Sequence, residues 1–443
     1  MENSKNKQSR REFLGKAALA GAIGTIGVGS ILSSCSSKKS AEELGLPPLL
    51  DRAPDGPKLK AALIGAGHRG TGAAFNFISA GPNLEVIALA DVFQDKIDAC
   101  RERFQKYELD IPEENCFVGF DAYKKLLEIP EINYVILATP PHFRPVQLRA
   151  AIEAGKNVFI EKPAAVDSTG ARSIIESGEI AKKKGLAIGA GTQRRRDNSF
   201  IEVVKRIHDG EIGDLRSGVT RWLIGELWYL EPKPEWSDME NQLRNWMYYE
   251  WLSGDIFVEQ FIHSIDLMNW VCQSTPTKAV GLGGRQVRTG STFGNAYDHY
   301  SVQYEYPNDI TIFCLDRQIN GCVNYIDDVF IGAKGRGHFS YQHTGISLKD
   351  GQPWRYRGDK NNAYQTEHDE LIHSIRIGEP INEAKQVAES TLTAFMGREA
   401  AYSGKEITWE MVMNSKQDFT LDKYEFGDLP VAPVPMPGKY NFD

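Results

Sequence analysis

Cysteine is scarce: six in 443 residues, with no C-x-x-C pair and no histidine at ligand spacing. Neither a disulfide framework nor a structural zinc site is indicated. An excess of positive charge is also missing. Lys and Arg number 51 against 59 Asp and Glu, a net charge of −8, which argues against nucleic-acid or anionic-membrane binding. With 41% hydrophobic residues, 25% charged residues and only 21 prolines, the composition is that of a soluble globular protein rather than a disordered or fibrous one. No internal repeat is visible. At this length the chain exceeds one ordinary core, so two domains are expected.

A long apolar run is the remaining absence. The best candidate, Ala17 to Leu32, is short and glycine-rich for a membrane span. It follows Ser9-Arg10-Arg11-Glu12-Phe13-Leu14 and ends in Leu32-Ser33-Ser34-Cys35, so residues 1–35 read as a targeting segment. The paired arginines resemble a twin-arginine export signal. The LSSC ending resembles a bacterial lipoprotein cleavage box, with Cys35 the lipidated first mature residue. The other reading is an uncleaved anchor. On the first, the protein is exported, periplasmic and attached to membrane only through its lipid. Residues 1–35 hold five Lys/Arg and two Asp/Glu, so the remainder carries −11. Residues 36–57 mix charge, proline and glycine without periodicity, as a tether or arm does. Cys100, Cys116, Cys272, Cys314 and Cys322 are expected to be core thiols.

What is present is organised around Leu59 to Thr71, LKAALIGAGHRGT. An apolar run ends in Gly65, Gly67 and Gly70, and a helix-compatible segment follows. This is G-x-G-x-x-G in strand–turn–helix context: one glycine for the tight turn, one for backbone approach to a pyrophosphate, one for close helix–strand packing. A second apolar run, Leu84 to Ala90, ends in Asp91. An acidic residue about 20 residues after the glycines hydrogen-bonds adenosine ribose hydroxyls and repels a 2′-phosphate, favouring NAD over NADP. Asp91 can instead cap a helix from Val92 onward, and Arg69 leaves room for NADP.

Residues 58–190 alternate apolar runs with helical segments. Strands are expected at 133–139, 157–160 and 186–189, with helices at 144–154 and 168–184, a parallel doubly wound sheet. In 191–426 the strand-like runs 299–306, 310–315 and 323–331 succeed one another without helices. They suggest a mostly antiparallel sheet with one covered face. Helices are expected at 251–272, 368–377 and 385–403, and residues 427–443, with four prolines, as an extended tail. The fold class is α/β, a Rossmann domain followed by an α+β domain.

Ligands of a doubly wound sheet bind beyond the strand carboxyl ends. There lie Thr139-Pro140-Pro141-His142 and Glu161-Lys162-Pro163. A lysine directly after a buried strand must be paired or wet. It can serve a substrate hydroxyl, or pair with a carboxylate such as Glu161. In Gly254 to Asp266, helical spacing puts Glu259, His263 and Asp266 on one face. An imidazole beside a carboxylate suits a general base; a histidine among Phe261, Ile262 and Ile265 also suits a core. Two candidate ligands without a third indicate no metal. Residues 222–251 hold five of the eight tryptophans, including Trp251, either a sugar-stacking platform or core and interface filler.

Together GAGHRG, Asp91, ATPPH, EKP and His263-Ser264-Ile265-Asp266 resemble the glucose-fructose oxidoreductase, inositol dehydrogenase and MocA (Gfo/Idh/MocA) family, as does Ser403 to Trp409. The resemblance covers about Lys58 to Met413. It implies a Rossmann domain, a second α/β domain whose open sheet often forms a homo-oligomer contact, and hydride transfer between nicotinamide and a sugar or cyclitol carbon. It makes Lys162 the catalytic lysine and His263 the proton relay. The family commonly has Asp where this chain has Glu259, which either touches substrate or orients His263. Cofactor contacts are expected from Gly65, Gly67, His68, Arg69, Gly70, Asp91, Thr139, Pro140, His142, Glu161 and Lys162, and substrate contacts from Gln193, Arg194, Trp251 and Asp266. Little free NAD is expected outside the cytosol, so an exported enzyme would carry its NAD tightly bound. Three functions follow: an oxidoreductase, a redox-neutral glycosidase like the NAD-dependent ones built on this fold, or a non-catalytic sugar-binding lipoprotein.

Overall fold

The apolar run before the glycines forms β1 (Leu59–Ile64), buried at nearly every position, as a parallel strand covered on both faces must be. The computed structural model describes residues 53–442. The signal over 1–35, its Cys35 and most of the 36–57 arm lie outside them. β2 (Leu84–Asp91), β3 (Cys116–Val118), β4 (Tyr134–Leu137), β5 (Asn157–Ile160) and β6 (Ile188–Ala190) join β1 in one sheet. Its order is β3-β2-β1-β4-β5-β6, all pairs parallel. Strand order reverses between β1 and β4, so the crevice beyond their carboxyl ends is where a dinucleotide belongs. The short β3, at the sheet edge and incompletely buried, has no periodicity to betray it.

The second sheet comprises β7 (Leu215–Ile224), β8 (Lys278–Gly284), β9 (His299–Tyr306), β10 (Ile310–Gln318), β11 (Tyr325–Gly332), β12 (Gly335–Ser340), β13 (Gly345–Leu348), β14 (Trp354–Arg355) and β15 (Ile407–Thr408). The order is β14-β13-β12-β11-β7-β10-β9-β8-β15. Every pair is antiparallel except β7–β10, which run parallel. Burial alternates along β9 and β10. One face is covered, while the other exposes Val280, Leu282, Phe313 and Leu315. Helix Ala384–Ser403, buried almost throughout, packs on β8, β9 and the Rossmann helix Ser168–Lys184, tying the two sheets together.

The helix expected over 251–272 is broken into Glu250–Ser253, Ile256–Glu259 and Ile262–Cys272. Gly254 ends the first in a left-handed conformation, and Asp255, also at φ +76°, caps the next through its own side chain. The Phe261 amide then reaches back five residues to Ile256 O, a widened turn. Glu259 and His263 therefore do not share one regular helical face. Residues 415–442 contain neither helix nor strand but fold back over both domains. Among the cysteines of the described residues, Cys100 and Cys314 are buried, Cys116 and Cys272 half-buried and Cys322 exposed rather than in the core; all five are free thiols. Burial pushes Cys100 up to about 11 and Cys272 up to about 12.

Candidate active site

The glycine turn divides its labour visibly. Gly65 sits at φ +95°, a conformation that L side chains rarely adopt. A Cβ on Gly70 would lie 1.9 Å from Gly65 O, so helix His68–Ser79 packs against the turn only with glycine there. A Cβ on Gly67 would meet nothing within 4 Å; this backbone faces open space. No side chain caps the first amides of the helix. Those donors, beside an unfilled cradle, fit a pyrophosphate.

Asp91 braces this turn. Its Oδ2 accepts from Ala66 N at 2.8 Å and its Oδ1 from Phe93 N at 3.0 Å; burial raises its pKa against the lowering effect of those amides. The helix that Asp91 was suggested to cap begins only at Gln94, with Phe93 at its cap position and no side-chain cap bond there; the ribose role stays compatible with the brace, because each oxygen keeps a second lone pair. Arg69 turns the other way. It donates to Glu161 Oε1 at 2.5 Å and Glu367 Oε1 at 3.3 Å, and lies 5.1 Å from the Tyr364 ring centre. Glu161 follows β5 and Asp91 ends β2, on opposite sides of the β1–β4 pair, so this guanidinium is directed away from the Asp91 end. His68 is exposed at the helix start.

Beyond β4, Thr139 Oγ1 donates to Gln147 Oε1 at 2.7 Å, and Pro140 leads into a short 3₁₀ turn carrying His142. His142 Nε2 is hydrogen-bonded to the Tyr424 hydroxyl at 2.7 Å, and its ring meets Trp251 edge-on at 4.8 Å. Burial pushes its pKa down to about 4. Between about pH 6.5 and pH 4 the unfolded chain therefore binds a proton that the folded chain does not, so this residue makes stability fall on acidification through that window. Denaturation midpoints at several pH values, compared with His142→Gln, should show a shallower acid loss in the variant.

Lys162 Nζ donates to Glu259 O at 2.8 Å and Glu259 Oε1 at 3.0 Å. The side chains are 12% and 7% exposed, so the pair is nearly withdrawn from water. Glu161, the carboxylate suggested as a partner for Lys162, is held by Arg69. Glu259 Oε2 is taken by Gln260 Nε2; Glu259 thus faces Lys162 rather than His263. The His263 ring stacks on Trp222, centroids 5.6 Å apart. Burial, then the charges of Lys162, Arg194 and Arg69, hold His263 well below the ordinary histidine range, leaving it neutral at physiological pH.

Residues 193–196 form a 3₁₀ turn whose side chains diverge. Gln193 Nε2 donates to the Tyr364 hydroxyl at 3.1 Å. Arg194, buried, donates to Asp328 Oδ2 at 2.9 Å and Ser264 Oγ at 3.3 Å. Asp266 is occupied by Arg195, Ser390 and Gln386. Lys162, Thr192, Arg194, Ile262, His263 and Asp266 line one narrow cleft. Trp251 stands apart, bonded to Gln242 at 2.8 Å. The aromatic segment thus divides: Trp222 serves the cleft, while Tyr248 and Tyr249 are buried core. No cluster of three or more metal-ligating side chains occurs among the described residues.

Arg144 escaped the sequence reading. Its guanidinium donates to Thr139 O at 2.8 Å, Glu161 O at 3.0 Å and Pro163 O, pinning the loops after β4 and β5 to each other; burial lowers its pKa to about 10. The only signal was a cation opening the helix after a buried strand. Asp328 and Glu367, which hold Arg194 and Arg69, come from distant segments that local pattern cannot join.

A family model described as the oxidoreductase family, NAD-binding Rossmann fold, matches residues 59–192, and a GFO/IDH/MocA C-terminal domain matches residues 200–315. The chain belongs to the Gfo/Idh/MocA oxidoreductase family. This Gfo/Idh/MocA protein is similar to a glycosyl hydrolase family 109 protein of Streptomyces coelicolor, 28% identical over 218 residues, 47% of this chain and 44% of that protein. It is also similar to inositol 2-dehydrogenase of Salmonella typhimurium, 24% identical over 213 residues, 48% of this chain and 54% of the other. The chain spans about half the length of the curated relatives it matches. Solved structures of the same fold include aldose-aldose oxidoreductase from Caulobacter crescentus complexed with glycerol, TM-score 0.63 at 21% identity over 79% of this chain and 99% of that one. Another is scyllo-inositol dehydrogenase from Lactobacillus casei with bound NAD(H) and scyllo-inositol, TM-score 0.61 at 17% identity, covering 80% and 99%.

Proposed function

We propose that this oxidoreductase transfers hydride between NAD and a hydroxyl-bearing carbon of a neutral sugar or cyclitol. The observation that carries the reading is the cleft shared by Lys162, His263 and Arg194. Lys162, positioned by its ion pair with Glu259, presents a donor to the reacting hydroxyl oxygen. Neutral His263 accepts the hydroxyl proton, and its ring is kept in place by Trp222. Bound nicotinamide supplies the hydride acceptor and donor. Position and proton handling belong to the protein. Asp91 at the end of β2, with Arg69 directed toward Glu161, supports NAD rather than NADP. The exposed apolar face of the second sheet supports a homo-oligomer, and the arginine pair and Cys35 support export to the periplasm on a lipid tether.

The test begins with protein purified without added nucleotide. A sample is denatured and released dinucleotide identified by mass. Native protein is then offered polyols, sugars and aryl glycosides while reduced nicotinamide is followed by absorbance. Substrate loss with matched nicotinamide reduction, or product formed against a second sugar, supports the oxidoreductase. A second reading, redox-neutral glycoside hydrolysis, is favoured by the family 109 relative. Free reducing sugar released from a glycoside, with no net nicotinamide reduction, would select it. Inertness across the whole panel would leave the sugar-binding lipoprotein.

His263 also predicts a pH profile. Because its pKa is lowered, kcat/KM for hydroxyl oxidation should hold steady down past the usual histidine value of about 6.5 before declining. A profile already half-lost near pH 7, and unchanged in His263→Gln, would remove His263 from the proton step.

A further inference from the structure

The segment after the last helix follows a path that crosses the dinucleotide crevice. Gln417 O accepts from Thr169 N at 3.4 Å, and Phe419 N donates to Asp167 Oδ2 at 2.9 Å, both beyond β5. Tyr424 then reaches the loop after β4: its hydroxyl bonds His142, and its ring lies 5.7 Å from that of Phe143. Phe426 next lies 5.9 Å from Phe93, two residues past Asp91, and 5.4 Å from Phe120, which follows β3. Gly427 O and Leu429 O finally accept from Met239 N and Gln242 Nε2, at 3.1 and 2.6 Å, on the second domain. The segment therefore touches the loops beyond β5, β4, β2 and β3 in turn, along the edge where a dinucleotide lies.

The ends of this span are fixed more firmly than its middle. Gln417 accepts from Arg398 Nη2 at 2.8 Å and donates to Glu399 Oε1 at 3.2 Å, inside a buried ion pair. Further on, the Tyr297 hydroxyl donates to Pro435 O at 2.7 Å. Between Phe419 and Gly427, Phe426 is 47% exposed, and contact with the crevice rests on aromatic edges and the Tyr424–His142 hydrogen bond. A strap anchored at both ends and held lightly between them must lift before anything beneath it can leave.

We infer that residues 417–429 form the outer wall of the dinucleotide cleft, with Tyr424 and Phe426 as positioning residues that make NAD a slowly exchanging, resident cofactor. This rests on the NAD-dependent reading above. The full chain, Tyr424→Ala/Phe426→Ala and the milder Phe426→Ala are loaded with NADH, and its release into excess NAD is timed by nicotinamide fluorescence. NAD carried through purification is counted by mass, and melting temperatures are recorded. The inference expects release at least about tenfold faster from the double variant, a smaller acceleration from Phe426→Ala and less NAD carried through purification. Equal release rates, even with a lowered melting temperature, would overturn it and leave the strap merely structural. Failure of both full chain and variants to bind NADH would overturn the NAD reading itself, and the strap's role with it.

Discussion

Lys162→Ala is expected to lower turnover by about a hundredfold to ten-thousandfold, the range lost when a positioned proton-transfer or charge-stabilising group is removed, with a much smaller change in dinucleotide affinity. Lys162 stands directly after β5 and its Nζ is aimed at Glu259, across the cleft rather than back toward the glycine turn. Among the described residues the neighbouring cations are committed elsewhere: Arg69 is bound to Glu161 and Glu367, and Arg194 to Asp328. The variant also strands the Glu259 carboxylate, 7% exposed, and breaking a buried pair from one side costs about 3–5 kcal/mol. Lost activity could therefore be lost fold. Lys162→Met combined with Glu259→Gln separates the two, since it removes both charges; it should recover most of the melting temperature without recovering turnover. Lys162→Ala within about tenfold of the parent kcat would show that the lysine is only one half of an ion pair.

Much of this arrangement was legible in the chain because Rossmann chemistry is local. Gly65, Gly67, Gly70 and Asp91 act within a strand, a turn and the next strand, and β5 occurs over the residues expected of it. Lys162 and His263 were legible as residue types but not as partners. Helical periodicity paired His263 with Glu259, whereas the Gly254–Asp255 break and the widened turn at Phe261 send Glu259 to a lysine 97 residues away. Period 3.6 holds only while the helix does. Asp266, expected at the substrate, lines the cleft and also accepts from Arg195 and Ser390, partners that local pattern does not reveal. The parallel β7–β10 pairing was hidden because strand direction depends on the long connection between them, not on either strand's pattern. The strap was not legible: residues 417–426 carry no helical or strand period and only 427–443 read as an extended tail, since the strap's contacts are to loops of the other domain.

The glycine turn offers the sharpest contrast between two nearly identical substitutions. Gly70→Ala should destabilise the fold by more than about 2 kcal/mol, because its Cβ would fall 1.9 Å from a backbone oxygen that cannot rotate away. Gly67→Ala meets nothing within 4 Å and sits at φ −67°, open to any residue. It should fold with a stability change below about 1 kcal/mol. Yet the space its methyl would enter is where a pyrophosphate must approach the backbone, so NAD affinity should fall by about tenfold or more. Melting temperature and NADH titration, measured on both variants, separate the roles: one glycine permits the protein to close on itself, the other keeps it open to a ligand. Undiminished NADH binding by Gly67→Ala would mean that the phosphates bind elsewhere, and that the uncapped amides of helix His68–Ser79 are turned to water alone.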